Sequence, residues 1–161
     1  MIAPGVFIAP GAKVKGQVTI GPQSSVWFGS IIRADVDTIT IGQGCNIQDG
    51  AILHVSRGFP VVLEDFVSVG HGAIVHGCYI EEGVLVGIGA ILLDGVRVGR
   101  ETVVGAGSLV LENTKLPPRC LVAGQPARVI RELSRAEIEK FRSTASRYIK
   151  YAQRYMKKEQ K

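Results

Sequence analysis

The chain has 161 residues, 46% of them hydrophobic, which suits one domain with its own core. Glycine is abundant at 20 residues while aromatic residues make up only 6%, a balance that favours short strands and frequent turns over a helical bundle. The net charge is +5, but residues 1–130 carry 9 Lys and Arg against 10 Asp and Glu. The basic excess therefore belongs to residues 131–161, and we interpret it as a solvated helix face, with no nucleic acid as partner.

The N-terminal segment shows no signal peptide, and no apolar run has the length that a membrane span requires. We therefore expect a cytoplasmic protein with no membrane partner. Three cysteines, an odd number without Cys-x-x-Cys spacing, argue against a disulfide framework. They are Cys45, Cys78 and Cys120.

An aliphatic residue recurs every six positions through most of the chain, with two insertions and one step of five. The members of this repeat are Ile8, Val14, Ile20, Val26, Ile32, Ile41, Ile47, Leu53, Leu63, Val69, Val75, Ile80, Val86, Leu92, Val98, Val104 and Val110. A six-residue period fits neither an α-helix nor hairpins. It is typical of a parallel β-helix, in which each hexapeptide forms a short strand and a turn and stacked coils supply the core. Residues three hexapeptides apart then lie above one another, roughly 4.8 Å apart.

The repeat is expected to stop after Val110, because Pro117 and Pro118 interrupt any regular element. The sequence Ser-Arg-Ala-Glu at 134–137 is typical of a capping box. Apolar residues follow it at helical spacing, which predicts one amphipathic helix over roughly residues 134–158. The predicted organisation is an all-β domain at 1–116, a connector at 117–133 and a C-terminal helical region at 134–161 that packs on the β-helix.

The three histidines of the chain lie within 23 residues of one another. His54 and His76 each follow a core aliphatic residue, and these two aliphatics are one full coil apart, so the register predicts that His76 stacks over His54. His71 follows its core residue by two positions, and it should stack over Asp49 on a different face. One prism is therefore not expected to bring all three imidazoles to a common metal ion.

A second subunit can complete the site by presenting its own His71 at an interface. Three-fold symmetry would repeat that contact and close the ring, which predicts a homotrimer with three equivalent sites between subunits. Three neutral imidazoles suit Zn²⁺ and leave a fourth position open. Imidazole suits Fe²⁺ and Co²⁺ as well, and the alternative without a metal is three exposed turn histidines that share no role.

Five segments of the chain match a known family, and they are IRAD at 32–35, NIQDG at 46–50, LH at 53–54, VGHGAIVHGC at 69–78 and VAGQPA at 122–127. Through these segments the sequence resembles the gamma-class carbonic anhydrases. The resemblance covers nearly the whole chain, and its specific part is the histidine segment together with the Arg-x-Asp and Gln-Asp pairs. The repeat and the closing segment are less specific, because hexapeptide acyltransferases share them.

The resemblance implies a left-handed β-helix, a homotrimer, and reversible hydration of CO₂ to bicarbonate by metal-bound hydroxide. It implies metal ligands at His54 and His76 of one subunit and His71 of another. It also implies that Arg33 and Asp35 link subunits near the site. From its chemistry alone, we interpret Asp35 or Asp49 beside Arg33 as one half of an ion pair that stabilises an interface, rather than as an acid–base catalyst.

Further residues are assigned by the same resemblance. Gln48 would hydrogen-bond the water on the metal or the substrate, and Asn46 and Asp49 would support it. Tyr148, on the predicted helix, would reach the site. A neutral amide such as Gln48 suits this role, because it orients hydroxide without competing for its proton.

The chain departs from the well-studied active members at the positions proposed to export protons. Val36 follows the Asp of Arg-x-Asp where those members carry a glutamate, and residues 55–60 form a short loop without a carboxylate. Asp37, Glu64 or buffer would then have to accept the proton, so low activity is expected. The alternatives are an acyltransferase with His71 or His76 as base, a thioesterase acting on acyl-CoA, and a non-catalytic metal-binding scaffold.

Overall fold

A computed structural model describes residues 1–159, and residues 160–161 of the predicted C-terminal region lie outside the described part. The described part contains eighteen β-strands, most of them two or three residues long, and one helix, α1 (Arg135–Glu159), follows them. The strands are β1 (Phe7–Ile8), β2 (Lys13–Ile20), β3 (Ser25–Val26), β4 (Ile31–Ile41), β5 (Asn46–Ile47), β6 (Ile52–His54), β7 (Val61–Leu63), β8 (Ser68–Val69), β9 (Ile74–His76), β10 (Tyr79–Ile80), β11 (Leu85–Val86), β12 (Ile91–Leu92), β13 (Arg97–Val98), β14 (Val103–Val104), β15 (Leu109–Val110), β16 (Lys115–Leu116), β17 (Cys120–Gly124) and β18 (Ala127–Glu132).

The strands form a parallel β-helix, as the repeat predicts. One sheet runs in the order β1-β3-β5-β8-β11-β14-β17-β18, so that most neighbours are separated in sequence by the strands of one full coil. The other runs in the order β15-β12-β9-β6-β4-β7-β10-β13-β16. The first half of the long strand β4 pairs with β6 and its second half pairs with β7, so β4 turns the corner between two faces of the prism.

The interior of the prism is filled by the aliphatic residues of the repeat in three vertical columns. These are Val26, Ile47, Val69, Val86, Val104 and Val122, then Ile32, Leu53, Val75, Leu92 and Val110, and last Ile20, Ile41, Leu63, Ile80, Val98 and Leu116. Burial of each such side chain contributes roughly 1.5–3 kcal/mol, so the stacked columns dominate stability. Ile8 was expected inside but is 37% exposed, since it lies on the first coil with no coil stacked over it.

The expectation that the repeat stops after Val110 is wrong. It continues at the same six-residue spacing to Leu116, which pairs in register with Val98, and to Val122, which pairs with Val104. The interior of the prism therefore extends two hexapeptides further than the sequence pattern alone indicated.

Residues 117–133, expected as a connector, contain two strands. Strand β17 adds to the parallel sheet, and β18 folds back on it as an antiparallel hairpin. Pro117 and Pro118 lie in the turn before β17, where no ladder N–H is required, and the Pro117 carbonyl accepts a hydrogen bond from the Thr102 hydroxyl at 2.7 Å. Prolines therefore mark a corner of the prism here and not its end.

The predicted helix is confirmed, and so is its capping box. The Ser134 hydroxyl lies 3.3 Å from the Glu137 N–H, and the Glu137 carboxylate accepts a hydrogen bond from the Ser134 N–H at 2.9 Å. Hydrogen bonds from Arg131 and then from Ser134 lower the pKa of Glu137 to about 2. The helix packs across β1, β3 and β5 through a cluster that contains Phe7, Trp27 and Ala152. No described helix is both long enough and apolar enough to span a membrane.

Candidate metal centre

The register places two of the three histidines in one column, as predicted. His54 at the end of β6 pairs with His76 at the end of β9, and Arg33 in β4 lies one coil before His54. His54 Nδ1 lies 2.8 Å from His76 Nε2, so the two rings face each other edge to edge through one nitrogen each. Both rings are partly shielded, with 21% and 29% of their side chains exposed.

Each of these two rings also contacts a carboxylate, through the ring nitrogen that points away from the other histidine. His54 Nε2 lies 3.1 Å from Asp35 Oδ1, and His76 Nδ1 lies 2.6 Å from Asp94 Oδ1. If each outer nitrogen donates its proton to its carboxylate, the two inner nitrogens both present lone pairs to each other. At 2.8 Å the two nitrogens are at the distance of an N–H···N hydrogen bond, so one proton lies between them when no metal is bound. Two imidazole nitrogens that face each other are also a donor set that a divalent metal ion binds once that proton is released.

Asp35 is shared between two partners, because it also pairs closely with Arg33. Desolvation raises the pKa of Asp35, but hydrogen bonds from His54 and Arg33 outweigh it and leave that pKa below its usual range. The carboxylate is therefore charged at neutral pH and able to hold both side chains. This contact adds a role within one chain to the intersubunit role that the family resemblance implies for Arg33 and Asp35.

His71 lies on another edge of the prism, in the turn after β8. Its Nδ1 is 3.0 Å from Asp49 Oδ2, and the Gly72 N–H donates to the Asp49 carbonyl at 2.9 Å, which confirms the predicted stacking of the two turns. Its Nε2 is 3.4 Å from the Tyr148 hydroxyl on α1. With 45% of its side chain exposed, His71 is the most open of the three rings.

The helix positions Tyr148 beside His71 by aromatic packing. The Tyr148 ring meets the Trp27 ring edge to face at 5.3 Å between centroids, which fixes the ring where the hydroxyl points toward the imidazole. Burial, and then the charge of Asp49, raises the pKa of Tyr148. Its hydroxyl therefore stays protonated at neutral pH and can donate to His71.

Asn46 and Gln48 form a buried amide ladder next to Asp49. The Asn46 side chain is fully buried and donates to the Ser68 hydroxyl at 2.8 Å, while Gln48 donates to Asn46 Oδ1 at 2.9 Å. One of the two amide protons of Gln48 is used in this ladder, so its second N–H and its carbonyl oxygen are the groups left to meet a ligand.

The described residues of one chain thus hold two incomplete sites. The paired-histidine half-site consists of Arg33, Asp35, His54, His76 and Asp94, and the single-histidine half-site consists of Asp49, His71 and Tyr148. No group of three His, Cys, Asp or Glu side chains able to hold a metal ion exists within residues 1–159 of a single chain. This agrees with the expectation that one prism does not bring His71 to the other two.

The two candidate proton acceptors are already occupied by backbone and side-chain donors. Asp37 accepts from the Thr38 N–H at 2.7 Å and from the Gly58 N–H at 2.9 Å, which ties down the loop at 55–60. Glu64 accepts from the Tyr79 hydroxyl at 2.6 Å. Both carboxylates therefore have structural partners in the chain.

Asp94 is absent from the predicted site residues. One coil leads from Val75 to Leu92, a distance of 17 residues that includes the five-residue step to Ile80, so the register places Leu93 and not Asp94 over His76. Asp94 lies one position further on, in a turn, and its side chain alone brings it to His76.

The comparisons with known proteins agree with this fold. The family described as bacterial transferase hexapeptide (six repeats) matches residues 77–112. A Bacillus cereus crystal structure named as a "putative acetyltransferase" superimposes with a TM-score of 0.94 at 42% identity, covering 96% of this chain and 90% of that one. The fold and its repeat therefore define a hexapeptide-repeat β-helix protein.

Relatives identified by sequence show which family within this class the chain belongs to. A Methanocaldococcus jannaschii protein named "Probable carbonic anhydrase" is 48% identical over 153 residues, which cover 95% of this chain and 96% of the relative. The Arabidopsis thaliana protein named gamma carbonic anhydrase 2, mitochondrial, is 44% identical over 92% of this chain, which spans only 55% of that relative's length. The chain belongs to the gamma carbonic anhydrase family.

Proposed function

We propose that this protein is a metal-dependent carbonic anhydrase that interconverts CO₂ and bicarbonate at sites between the subunits of a homotrimer. His54 and His76 of one subunit and His71 of a neighbouring copy would hold the metal, which we take to be Zn²⁺, with Fe²⁺ and Co²⁺ as alternatives. The observation that carries the proposal is the pair of facing ring nitrogens, each backed by a carboxylate. The cytoplasmic location stays a prediction.

The incompleteness of each half-site supports the intersubunit arrangement. Two imidazoles leave a metal under-coordinated, and the exposed ring of His71 is the remaining histidine in a chain that has three. A symmetric trimer brings one edge of each prism against a different edge of its neighbour, so each interface would contain one complete set.

When bound, a divalent cation supplies a Lewis acid that makes water nucleophilic near neutral pH, an effect for which carbonic anhydrases are themselves the standard example. The residues of the chain would hold this cation and orient the groups that react beside it. Asp35 and Asp94 would fix the rings of His54 and His76. Gln48 would offer a neutral oxygen to the reacting water or to the substrate, and Asn46 would keep that amide from rotating.

Proton export is the step for which this chain is least equipped. The carboxylates of Asp37 and Glu64 are engaged by Gly58 and Tyr79, and no carboxylate stands at position 36 or in the loop 55–60. We therefore expect turnover to depend on buffer as the proton acceptor.

The test is stopped-flow CO₂ hydration by protein loaded separately with Zn²⁺ and, without oxygen, with Fe²⁺. His76→Ala is the matched variant, and each sample is measured across several buffer concentrations. We expect metal-dependent hydration that disappears in His76→Ala and rises with buffer concentration. A fully loaded trimer that shows no hydration with either metal would contradict the proposal.

One alternative has a specific observation in its favour. The Bacillus cereus structure that superimposes with a TM-score of 0.94 is named as an acetyltransferase, so acyl transfer from acyl-CoA, or its hydrolysis, is the second candidate function. Metal-free protein that transfers or releases acyl groups would establish it. Loaded protein that is inactive in both assays would favour the metal-binding scaffold.

A further inference from the structure

The contact between His76 and Asp94 is the shortest of the carboxylate–imidazole contacts in the two half-sites. His76 Nδ1 lies 2.6 Å from Asp94 Oδ1, against 3.1 Å for His54 with Asp35 and 3.0 Å for His71 with Asp49. A short contact between an imidazole N–H and a carboxylate is charge-assisted and stronger than a neutral hydrogen bond. It therefore holds the ring of His76 in one orientation.

The backbone beside His76 leaves room for this carboxylate. Gly77 has φ +60, and a methyl group on its Cα would overlap Asp94 Oδ1 and lie 2.8 Å from Phe59 Cβ. Any side chain at position 77 would therefore push Asp94 away from the imidazole. The positive φ alone favours glycine at this turn, and the contact with Asp94 adds a second requirement for a residue without a side chain.

Phe59 covers the same place from the loop at 55–60. Its ring also approaches Gly95, where a methyl group would lie 3.2 Å from Phe59 Cε1. The loop is held by the hydrogen bond from Gly58 to Asp37 and by one from the Phe59 N–H to the Ser56 carbonyl at 2.9 Å. An apolar cover reduces solvent screening and so strengthens the hydrogen bond below it.

Asp94 also differs from Asp35 in having His76 as its dedicated partner. Asp35 is 41% exposed and divides its contacts between His54 and Arg33, whereas Asp94 is 23% exposed. No lysine or arginine lies within ion-pair distance of Asp94 in the described part of the chain. A carboxylate that faces a single imidazole, without a competing cation, sets which ring nitrogen carries the proton.

We infer that Asp94 is a positioning residue that keeps the proton of His76 on Nδ1 and so presents Nε2 to the metal, with Gly77 providing the space for it. The inference deepens the proposed function and rests on it for the metal. The same tautomer of His76 is expected in the metal-free protein, since Asp94 sets it whether or not a cation is bound.

The test combines zinc affinity with the tautomer of His76. Wild type, Asp94→Leu and Asp94→Ala are titrated with Zn²⁺ against a chromogenic chelator. The metal-free proteins are examined by ¹⁵N NMR of the three imidazoles, assigned with His54→Ala and His71→Ala. Asp65→Asn is the matched control, because Asp65 accepts a hydrogen bond from the Gln43 N–H at 2.8 Å at a different corner.

We expect the Asp94 variants to lose zinc affinity by about 10–100-fold, the usual effect of removing a carboxylate behind a ligand histidine. His76 should carry its proton on Nδ1 in wild type and shift toward Nε2 in Asp94→Ala, while Asp65→Asn keeps both properties. Should Asp94→Ala not fold, Asp94→Leu carries the test, because leucine is close to aspartate in size and accepts no hydrogen bond.

Wild-type zinc affinity in Asp94→Leu, or a metal-free wild type with the His76 proton on Nε2, would overturn the inference. Failure of the proposed metal site looks different. A wild type that binds no zinc would contradict that site, and the tautomer measurement would still support or overturn the role of Asp94.

Discussion

The two half-sites of the chain differ in how firmly their histidines are held. In the paired-histidine half-site, adjacent strands stack His54 and His76, a carboxylate backs each ring, and both rings are mostly shielded. In the single-histidine half-site, His71 lies in a turn, is 45% exposed, and has a long 3.4 Å contact to Tyr148. The comparison indicates that contacts within the chain organise the paired-histidine half-site. The arrangement of the single-histidine half-site depends more on the surface that packs against it.

The reason for the difference lies in the elements that carry the rings. Residues in register at the ends of paired strands are separated by the spacing between the strands. The backbone therefore brings a histidine into contact with the histidine one coil above it. The turn of His71 also stacks on the turn of Asp49 through a backbone hydrogen bond, but no strand ladder runs through it. The ring of His71 is positioned by two side chains, Asp49 from the coil below and Tyr148 from the helix.

The largest expected effect comes from removing a histidine from each half-site in separate chains. His76→Ala and His71→Ala should each lose zinc affinity by more than ~100-fold, since outer carboxylates alone are worth 10–100-fold. When the two variants are unfolded together and refolded at equal amounts, about a quarter of the interfaces should combine an intact half-site from each chain. Zinc stoichiometry and CO₂ hydration of the mixture measure this recovery.

A matched mixture of His54→Ala with His76→Ala provides the control, because both variants damage the same half-site and no interface is restored. Recovery in that mixture, or no recovery in the first one, would contradict a site shared between subunits. The trimer itself is checked in every sample by sedimentation or light scattering.

The next largest effect is a difference in stability between alanine variants of the two glycines that directly follow candidate metal ligands. Gly72 and Gly77 have φ values of +63 and +60, so alanine at either position adopts an unfavourable backbone at a cost of roughly 1–2 kcal/mol. At Gly72 nothing lies within 4 Å of the added methyl group, whereas at Gly77 it collides with Asp94. Gly77→Ala should therefore lose a further ~1–3 kcal/mol of unfolding free energy.

Chemical denaturation of Gly77→Ala and Gly72→Ala measures this difference, and zinc titration of the folded variants accompanies it. Zinc affinity should fall in Gly77→Ala, where Asp94 has to move, and stay near the wild-type value in Gly72→Ala. Equal losses of stability in the two variants would mean that the space beside His76 is not tightly filled.

The smallest effect is expected from Tyr148→Phe in the single-histidine half-site. The substitution keeps the edge-to-face packing on Trp27 and removes only a hydroxyl 3.4 Å from His71, so stability should change by less than about 1 kcal/mol. Zinc affinity should stay within about 3-fold of wild type, because a long hydrogen bond holds the ring weakly. A loss of CO₂ hydration without a loss of zinc affinity would instead place Tyr148 in contact with the reacting groups.

Much of the fold could be predicted because a six-residue period has few structural solutions. The period specified the parallel coils, and counting hexapeptides was enough to place His76 over His54 and the turn of His71 over that of Asp49. The capping box at 134–137 located the start of the helix. Counting the pattern missed the last two hexapeptides, since a proline at a corner of the prism and a proline at its end look alike in sequence.

The sequence by itself determined the β-helix, its register and the helix, because these follow from repeated backbone pairing and from local hydrogen bonds. Only the tertiary structure decided that Asp94 reaches His76, that Asp35 reaches His54, and that Gln48 is tied to Asn46. Such contacts depend on side-chain rotamers and on the free space beside them, as at Gly77. A repeat specifies which backbones stack, but not which side chains meet in the turns between them.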